Sequence, residues 1–326
     1  MQDWQDFLSK RQLSSAPIGD CAISDLSPLG LIRVRGGDAR TFLQGQLTND
    51  TTQVDANQSQ LSSYCSPKGR MLASFRILER DGDLLLILPA ERLDAILKRL
   101  KMFVLMSKVE LDDVSGEFAL VELSGDCASD LLPIDPPTAN DAVTSLDGYS
   151  VIRVPGDRPR FQVLGPVDEI EALWDEAEKT ATPTAFSSWQ LLDIRAGIPS
   201  VWENTVEAFV PQMANLQAVK GVSFTKGCYT GQEIVARMQY LGKLKRRMYR
   251  GRIDSAEAPS PGDELFSEHS ASGQGAGRLV STAPSPLGGY EVLAVVEISV
   301  AEAGGVHLGT PDGPRLEILD LPYTLS

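Results

Sequence analysis

Lys226-Gly227-Cys228-Tyr229-Thr230-Gly231-Gln232-Glu233 is the stretch from which the rest of the sequence is read. Thr230 and Glu233 have the spacing of a capping box, in which the Thr hydroxyl accepts from an amide one turn on and the Glu carboxylate reaches back to the cap amide. That spacing predicts a helix beginning at this point. Ile234, Val235, Met238 and Leu241 recur at helical intervals after it, and Gly242 supplies a stop. Cys228 would then precede the first turn, where the positive helix end and the Lys226 ammonium both favour thiolate over thiol. The same residues also read as a glycine-rich turn feeding a helix, with Cys228 a small, half-buried side chain.

Working outward, 326 residues exceed one ordinary core, so two or three domains are expected. Forty-four acidic against 30 basic residues give a net charge of -14, which argues against nucleic-acid binding over the whole surface. The opening MQDWQDFLSKRQL carries acids and no long apolar run, and the longest apolar stretches, 84–90 and 292–296, are of strand length. A cytoplasmic protein that does not engage a membrane is expected. Cys21, Cys65, Cys127 and Cys228 form no C-x-x-C pair and there are only two histidines, so no metal site is expected.

In chain order, a short amphipathic helix with Trp4, Phe7 and Leu8 as its apolar face opens the fold, followed by a strand from Leu29 to Val34, a Gly36-Gly37 turn and a helix capped by Asp38. Strands at Leu61–Cys65 and Met71–Leu78 flank the turn Ser66-Pro67-Lys68-Gly69, and Asp81-Gly82 is a hairpin signal before Leu84–Leu88. A helix from Glu91 to Leu100 and a strand near Lys108–Leu111 close the unit. A similar order recurs through Phe118–Leu123, Tyr149–Val154, Phe161–Leu164 and a helix carrying Ile170, Leu173, Trp174 and Ala177. Ser187 and Gln190 have capping-box spacing for a helix ending at Ala196. After Gly242 only short strands separated by Gly, Pro and Ser are read, the pattern of a small β-barrel or sandwich. The sequence therefore reads as α+β, with two mixed subdomains over 1–240 and a C-terminal β-barrel over 241–326.

Two further features carry chemistry. Arg237, Lys243, Lys245, Arg246, Arg247, Arg250 and Arg252 concentrate positive charge in an acidic chain, either to hold an anionic ligand or as a solvated segment balancing acids elsewhere. Trp189 is either a flat surface for stacking a planar heterocycle or a core residue.

The run Lys226–Glu233 resembles the K-G-C-Y-x-G-Q-E signature of the YgfZ proteins, folate-binding relatives of the glycine-cleavage T-protein, an aminomethyltransferase. Supporting matches span most of the chain: Phe42-Leu43-Gln44-Gly45-Gln46-Leu47-Thr48, Lys68-Gly69-Arg70-Met71, Ala196-Gly197-Ile198-Pro199, Phe209-Val210-Pro211-Gln212 with Asn215-Leu216, and Leu321-Pro322-Tyr323. The resemblance implies a three-domain ring with two interleaved ferredoxin-like α+β subdomains and a C-terminal barrel. It implies binding of tetrahydrofolate or a related folate, and support of iron–sulfur enzymes that methylthiolate tRNA; with a net charge of -14, direct tRNA binding is expected to be weak at best. Cys228 is the implied reactive residue, and Trp189, Lys226, Tyr229, Gln232, Glu233 and Arg237 are the implied folate-binding set. Three departures stand out. Leu29 replaces a second tryptophan, Arg195 replaces a T-protein glutamate, and Arg70-Met71-Leu72-Ala73-Ser74 lacks the T-protein's catalytic aspartate. Aminomethyl or one-carbon transfer, the alternative activity, is therefore not expected.

Overall fold

The computed structural model describes residues 2–14, 19–146, 148–270 and 275–325. The chain divides into two compact units. Unit one comprises residues 1–44, 50–61 and 75–189, and unit two residues 45–49, 62–74 and 190–326.

Unit one opens with helix α1 (Gln2–Ser9), strands β1 (Cys21–Asp25) and β2 (Leu29–Arg35), and helix α2 (Ala39–Gln44). Strands β3 (Gln60–Cys65) and β4 (Met71–Arg80) follow, and the division into units falls within both. The predicted hairpin joins β4 to β5 (Asp83–Pro89), with Asp81 and Gly82 both at positive φ as a tight two-residue turn requires. Helix α3 (Ala90–Lys101) and strand β6 (Glu110–Asp113) complete a sheet of order β3-β4-β5-β2-β6 among the described residues.

The second half of this unit holds β7 (Phe118–Gly125), β8 (Val143–Leu146), β9 (Tyr149–Arg153) and β10 (Arg160–Pro166). After them come α4 (Val167–Ala177), β11 (Thr182–Thr184) and α5 (Phe186–Ala196), whose last residues lie in unit two. The sheet order is β11-β1-β7-β10-β9-β8, with only β1 and β11 parallel among the pairings described.

Strand alternation explains how unit one packs. Ala119, Val121 and Leu123 of β7 face Trp4 and Leu8 of α1 and Ile170, Leu173 and Trp174 of α4. Leu120 points the other way, into a second core with Leu31, Leu85 and Ile87 of the neighbouring sheet. Glu122 and Arg160 are fully buried, and the Arg160 Nε and Nη2 donate to the two carboxylate oxygens at 2.9 and 3.0 Å. This bidentate geometry is what makes two interior charges tolerable.

Unit two carries α6 (Gln232–Tyr240) and a sheet of β12 (Arg246–Ile253), β13 (Glu264–Phe266), β14 (Gly277–Pro284) and β15 (Tyr290–Glu297). Helix α7 (Ile298–Ala303) and strands β16 (His307–Leu308) and β17 (Leu316–Leu319) complete it, in the order β16-β13-β14-β15-β12-β17. Val292, Ala294 and Val296 of β15 line one face with Leu265, Leu279 and Leu316. Leu293 and Val295 pack the other with Leu191 and Ile194 of α5 and with Phe209 and Leu216. A bulge between Leu279 and Ser281 bends β14, as a curled, barrel-like sheet needs.

The mixed α+β class and the C-terminal barrel-like sheet match the sequence reading; several local expectations do not. Helix α5 begins at Phe186, so Ser187 lies inside it rather than capping it. A six-residue helix, α7, interrupts the segment read as strands alone. Cys21 and Cys127, for which the sequence spacing indicates no pairing, form a disulfide with Cα atoms 5.6 Å apart. Among the described residues no helix is long and apolar enough to cross a membrane.

Candidate functional site

The signature loop owes its position to two glycines and a buried lysine. Gly231 has φ +83, and a Cβ there would collide with the Ser66 carbonyl oxygen and lie 3.0 Å from the Gly69 Cα. Gly69, at φ +69 in the Ser66–Gly69 turn, is closed in the same way by Ile234, whose Cβ would be 2.8 Å away. Two backbones thus meet where no side chain fits. This contact overrides the capping box. Gly231 becomes the left-handed N-cap residue, no side chain caps the helix, and α6 starts at Gln232. Cys228 therefore lies three residues ahead of the cap rather than beside the first turn. Of the predicted apolar stripe only Val235 is buried, and Leu241 is 85% exposed.

Lys226 is almost fully buried, and its ammonium is held by backbone carbonyls. Its Nζ donates to the carbonyls of Leu47 at 2.7 Å and Asn49 at 2.9 Å, and sits 5.2 Å from the centre of the Tyr229 ring. The accepting segment is itself tied down. Thr48 N–H donates to Ser63 O, its hydroxyl donates to Gly221 O, and its carbonyl accepts from Ser223 N–H. Lys226 thus locks residues 47–49 to the start of the signature.

The two free thiols have opposite environments. Cys65 is buried beside the Ser63 hydroxyl, and burial pushes its pKa up to about 12, so it remains an inert thiol at neutral pH. Cys228 is exposed. Burial, together with the proximity of Cys65, raises the pKa of the Tyr229 phenol. On α6, Glu233 and Arg237 are exposed and Gln232 is half-buried at the first helical position, while Gln212 of the preceding loop donates to Val235 O at 2.7 Å.

Trp189 belongs to unit one, whereas Lys226, Cys228, Tyr229, Gln232, Glu233 and Arg237 all belong to unit two. Its indole is 4% exposed, stacks on Phe186 at 4.8 Å, and packs in the same core as Leu29. The positions of the two expected stacking walls are thus both core positions. The stretch aligned with the catalytic acid holds Ala73, fully buried, and Ser74, whose hydroxyl accepts from Val201 N–H at 3.0 Å. Arg195 is held by Glu291, its Nη2 donating at 2.6 Å, and Arg250 donates to the second carboxylate oxygen at 3.0 Å.

Burial alone would raise the Glu291 pKa, but the hydrogen bonds and charges of Arg195 and Arg250 hold it below its ordinary 4.5. A depressed folded-state pKa contributes stability above the unfolded value and loses it as pH falls through the folded value. Acid titration below pH 4.5 should therefore cost wild type more than Glu291→Gln, by up to roughly 1.4 kcal/mol per pH unit. Urea unfolding of both proteins across that range measures the difference; parallel curves would refute the assignment.

Part of the basic segment is bonded internally. Arg246 donates to Gly275 O and Glu297, Arg250 to Glu291, and Arg252 to Leu287 O. Lys243 and Lys245 stay exposed and, with Arg70, line a groove of about 740 Å³ that also holds Glu297 and Glu302. What the sequence does not disclose is the role of Leu47 and Asn49. They act through backbone carbonyls, which leave no trace in residue identity.

A folate requires hydrogen-bonding partners for its pterin. Gln212 Oε1, buried in unit two without a hydrogen-bond partner, is an acceptor suited in kind to the amino edge of a pterin. The T-protein's acid is missing from the aligned stretch, where Ala73 and Ser74 stand.

The GCVT N-terminal domain model matches residues 15–143. The tRNA-modifying protein YgfZ of Colwellia psychrerythraea is 37% identical over 245 residues, 74% of each chain. The Yersinia pestis protein of the same name is 30% identical over 304 residues, 92% of each. The crystal structure of aminomethyltransferase T from Bartonella henselae superposes with a TM-score of 0.70 over 94% of this chain and 87% of that one, at 16% identity, a likeness of fold alone. Two chains of one name, matched at 30–37% identity over most of their length, and the T-protein fold beneath them place this chain in the YgfZ family.

Proposed function

We propose that this chain is a folate-binding protein that supports iron–sulfur enzymes of tRNA modification, methylthiolation in particular, in the cytoplasm, and not an aminomethyltransferase. The observation that carries the reading is the contrast within one loop system. An exposed thiol, Cys228, stands on a segment pinned by buried Lys226 and by Gly231, while Ala73 and Ser74 occupy the stretch of the catalytic acid. The names of the relatives support the tRNA-modification part of the proposal.

Bound tetrahydrofolate would supply one-carbon carriage. The chain's own contribution is positional. Lys226 fixes the loop, Gly231 sets the helix start, and Cys228 is left as the accessible nucleophile, because the Cys65 thiol is buried and hard to ionise.

Cys228→Ala should retain the fold and folate affinity and abolish support of tRNA methylthiolation in cells lacking the native protein, read by nucleoside mass spectrometry. Undiminished methylthiolation would remove Cys228 from the mechanism. Calorimetric titration with tetrahydrofolate tests the ligand separately. Absence of heat, with no competition by folinic acid, would leave a scaffold role. Turnover of an aminomethyl donor would instead restore the transferase.

A further inference from the structure

The most exposed apolar feature of unit one lies outside everything discussed so far. Between α3 and β6, Met102, Phe103, Leu105 and Met106 are 59%, 40%, 87% and 98% exposed. This is not loosely held chain. Met102 and Phe103 N–H donate to Arg99 and Leu100 carbonyls, and Ser107 N–H donates to Val104 O at 2.8 Å. At the loop's base, Asp38 Oδ2 accepts from Lys108 N–H at 2.8 Å. Leu105 holds φ +46, a left-handed conformation costly for a branched side chain, and so is turned outward at an energetic cost.

Four apolar side chains within five residues, held in solvent, mark an interaction surface. Two methionines give it the adaptability of surfaces that fit a partner's groove. Its rim is cationic: Lys98 and Lys101 in the last turn of α3 and Lys108 beyond the tip are all exposed. Of the nearby acids, Glu110 is paired with Arg35 and Asp38 accepts from the Lys108 amide.

We propose that the 102–106 loop docks into an apolar, acid-rimmed groove of a partner protein. Charge complementarity selects this occupant. A second copy pairing loop to loop would set the three lysines against their own counterparts. An anionic bilayer would be drawn by the same lysines, and vesicle co-sedimentation separates it from a protein groove.

The test uses the full chain and a fluorescein-labelled amphipathic helix built of Leu and Glu, with a Leu/Lys helix as control. The acidic helix should bind, more weakly as salt rises, and the basic one should not. Leu105→Asp with Met106→Asp should weaken binding by at least roughly tenfold and leave thermal unfolding unchanged, since both side chains stand in solvent. No binding of the acidic helix, or equal binding by the variant, overturns the proposal. So does a wild-type dimer in sedimentation velocity that the variant loses, which assigns the loop to a second copy. Wild-type co-sedimentation with phosphatidylglycerol vesicles that the variant loses assigns it to lipid and likewise overturns it.

Discussion

Gly231→Ala is expected to destabilise unit two by roughly 2–5 kcal/mol, while Gly227→Ala, four residues earlier in the same signature, is expected to be nearly neutral. A non-glycine residue at φ +83 costs about 1–2 kcal/mol. The added methyl also drives into the Ser66 carbonyl and the Gly69 backbone, and over-packing of this kind costs about 1–3 kcal/mol more. The obstacle is main chain on both sides, so no rotamer change relieves it. Gly227 has ordinary φ, and a Cβ there meets nothing within 4 Å. Denaturant unfolding of the two variants separates local sterics from a general intolerance of the loop to substitution. Equal losses, or a Gly231→Ala protein within about 0.5 kcal/mol of wild type, would show that the close approach does not limit stability. Because the same contact sets the start of α6, Gly231→Ala should also change the labelling rate of Cys228 under conditions where the protein stays folded.

The Gly231 contact also shows where sequence reading stops. The Asp81-Gly82 turn and the helix around Ile170, Leu173 and Trp174 are legible because each signal is local, and the Met71–Leu78 strand forms as its alternation indicates although both of its faces are buried. Strands β1, β8, β11 and β13 escaped notice. They are short, and Thr182-Pro183-Thr184 has no apolar period at all; its strand exists only because β1 lies beside it. The Thr230–Glu233 capping box was a sound local inference overruled by a distant turn, Ser66–Gly69. Lys226 was read as a charge bearing on Cys228, yet its ammonium is directed to two carbonyls in a segment 177–179 residues earlier. Residue type reveals that a site exists; long-range backbone placement decides which atoms face which.

The second large effect concerns unit one. Opening the Cys21–Cys127 disulfide is expected to remove roughly 4–5 kcal/mol, the chain-entropy value for a loop of this size, since 106 residues separate the two positions. The native geometry should survive reduction, because it does not depend on the bond. Cys21 pairs with Gly125 in the β1–β7 register, Asp126 N–H donates to Asp20 O at 3.1 Å, and Ala128 N–H donates to Gly125 O at 3.0 Å. Reduction should therefore act mainly by freeing the unfolded chain, lowering the unfolding midpoint without changing the native circular dichroism. Cys21→Ser with Cys127→Ser should unfold like reduced wild type and lose all sensitivity to dithiothreitol. Half-buried at the edge of their core, the two sulfurs are also within reach of a reductant. In a reducing cytoplasm, where thiols predominate, the dithiol form would be the working state and its lower stability the relevant one. Thiol counting by mass spectrometry after alkylation distinguishes the states. An unfolding midpoint indifferent to reductant in the oxidised protein would mean that this cross-link does not constrain the unfolded chain, and unit one would owe its stability to the two cores flanking β7 alone.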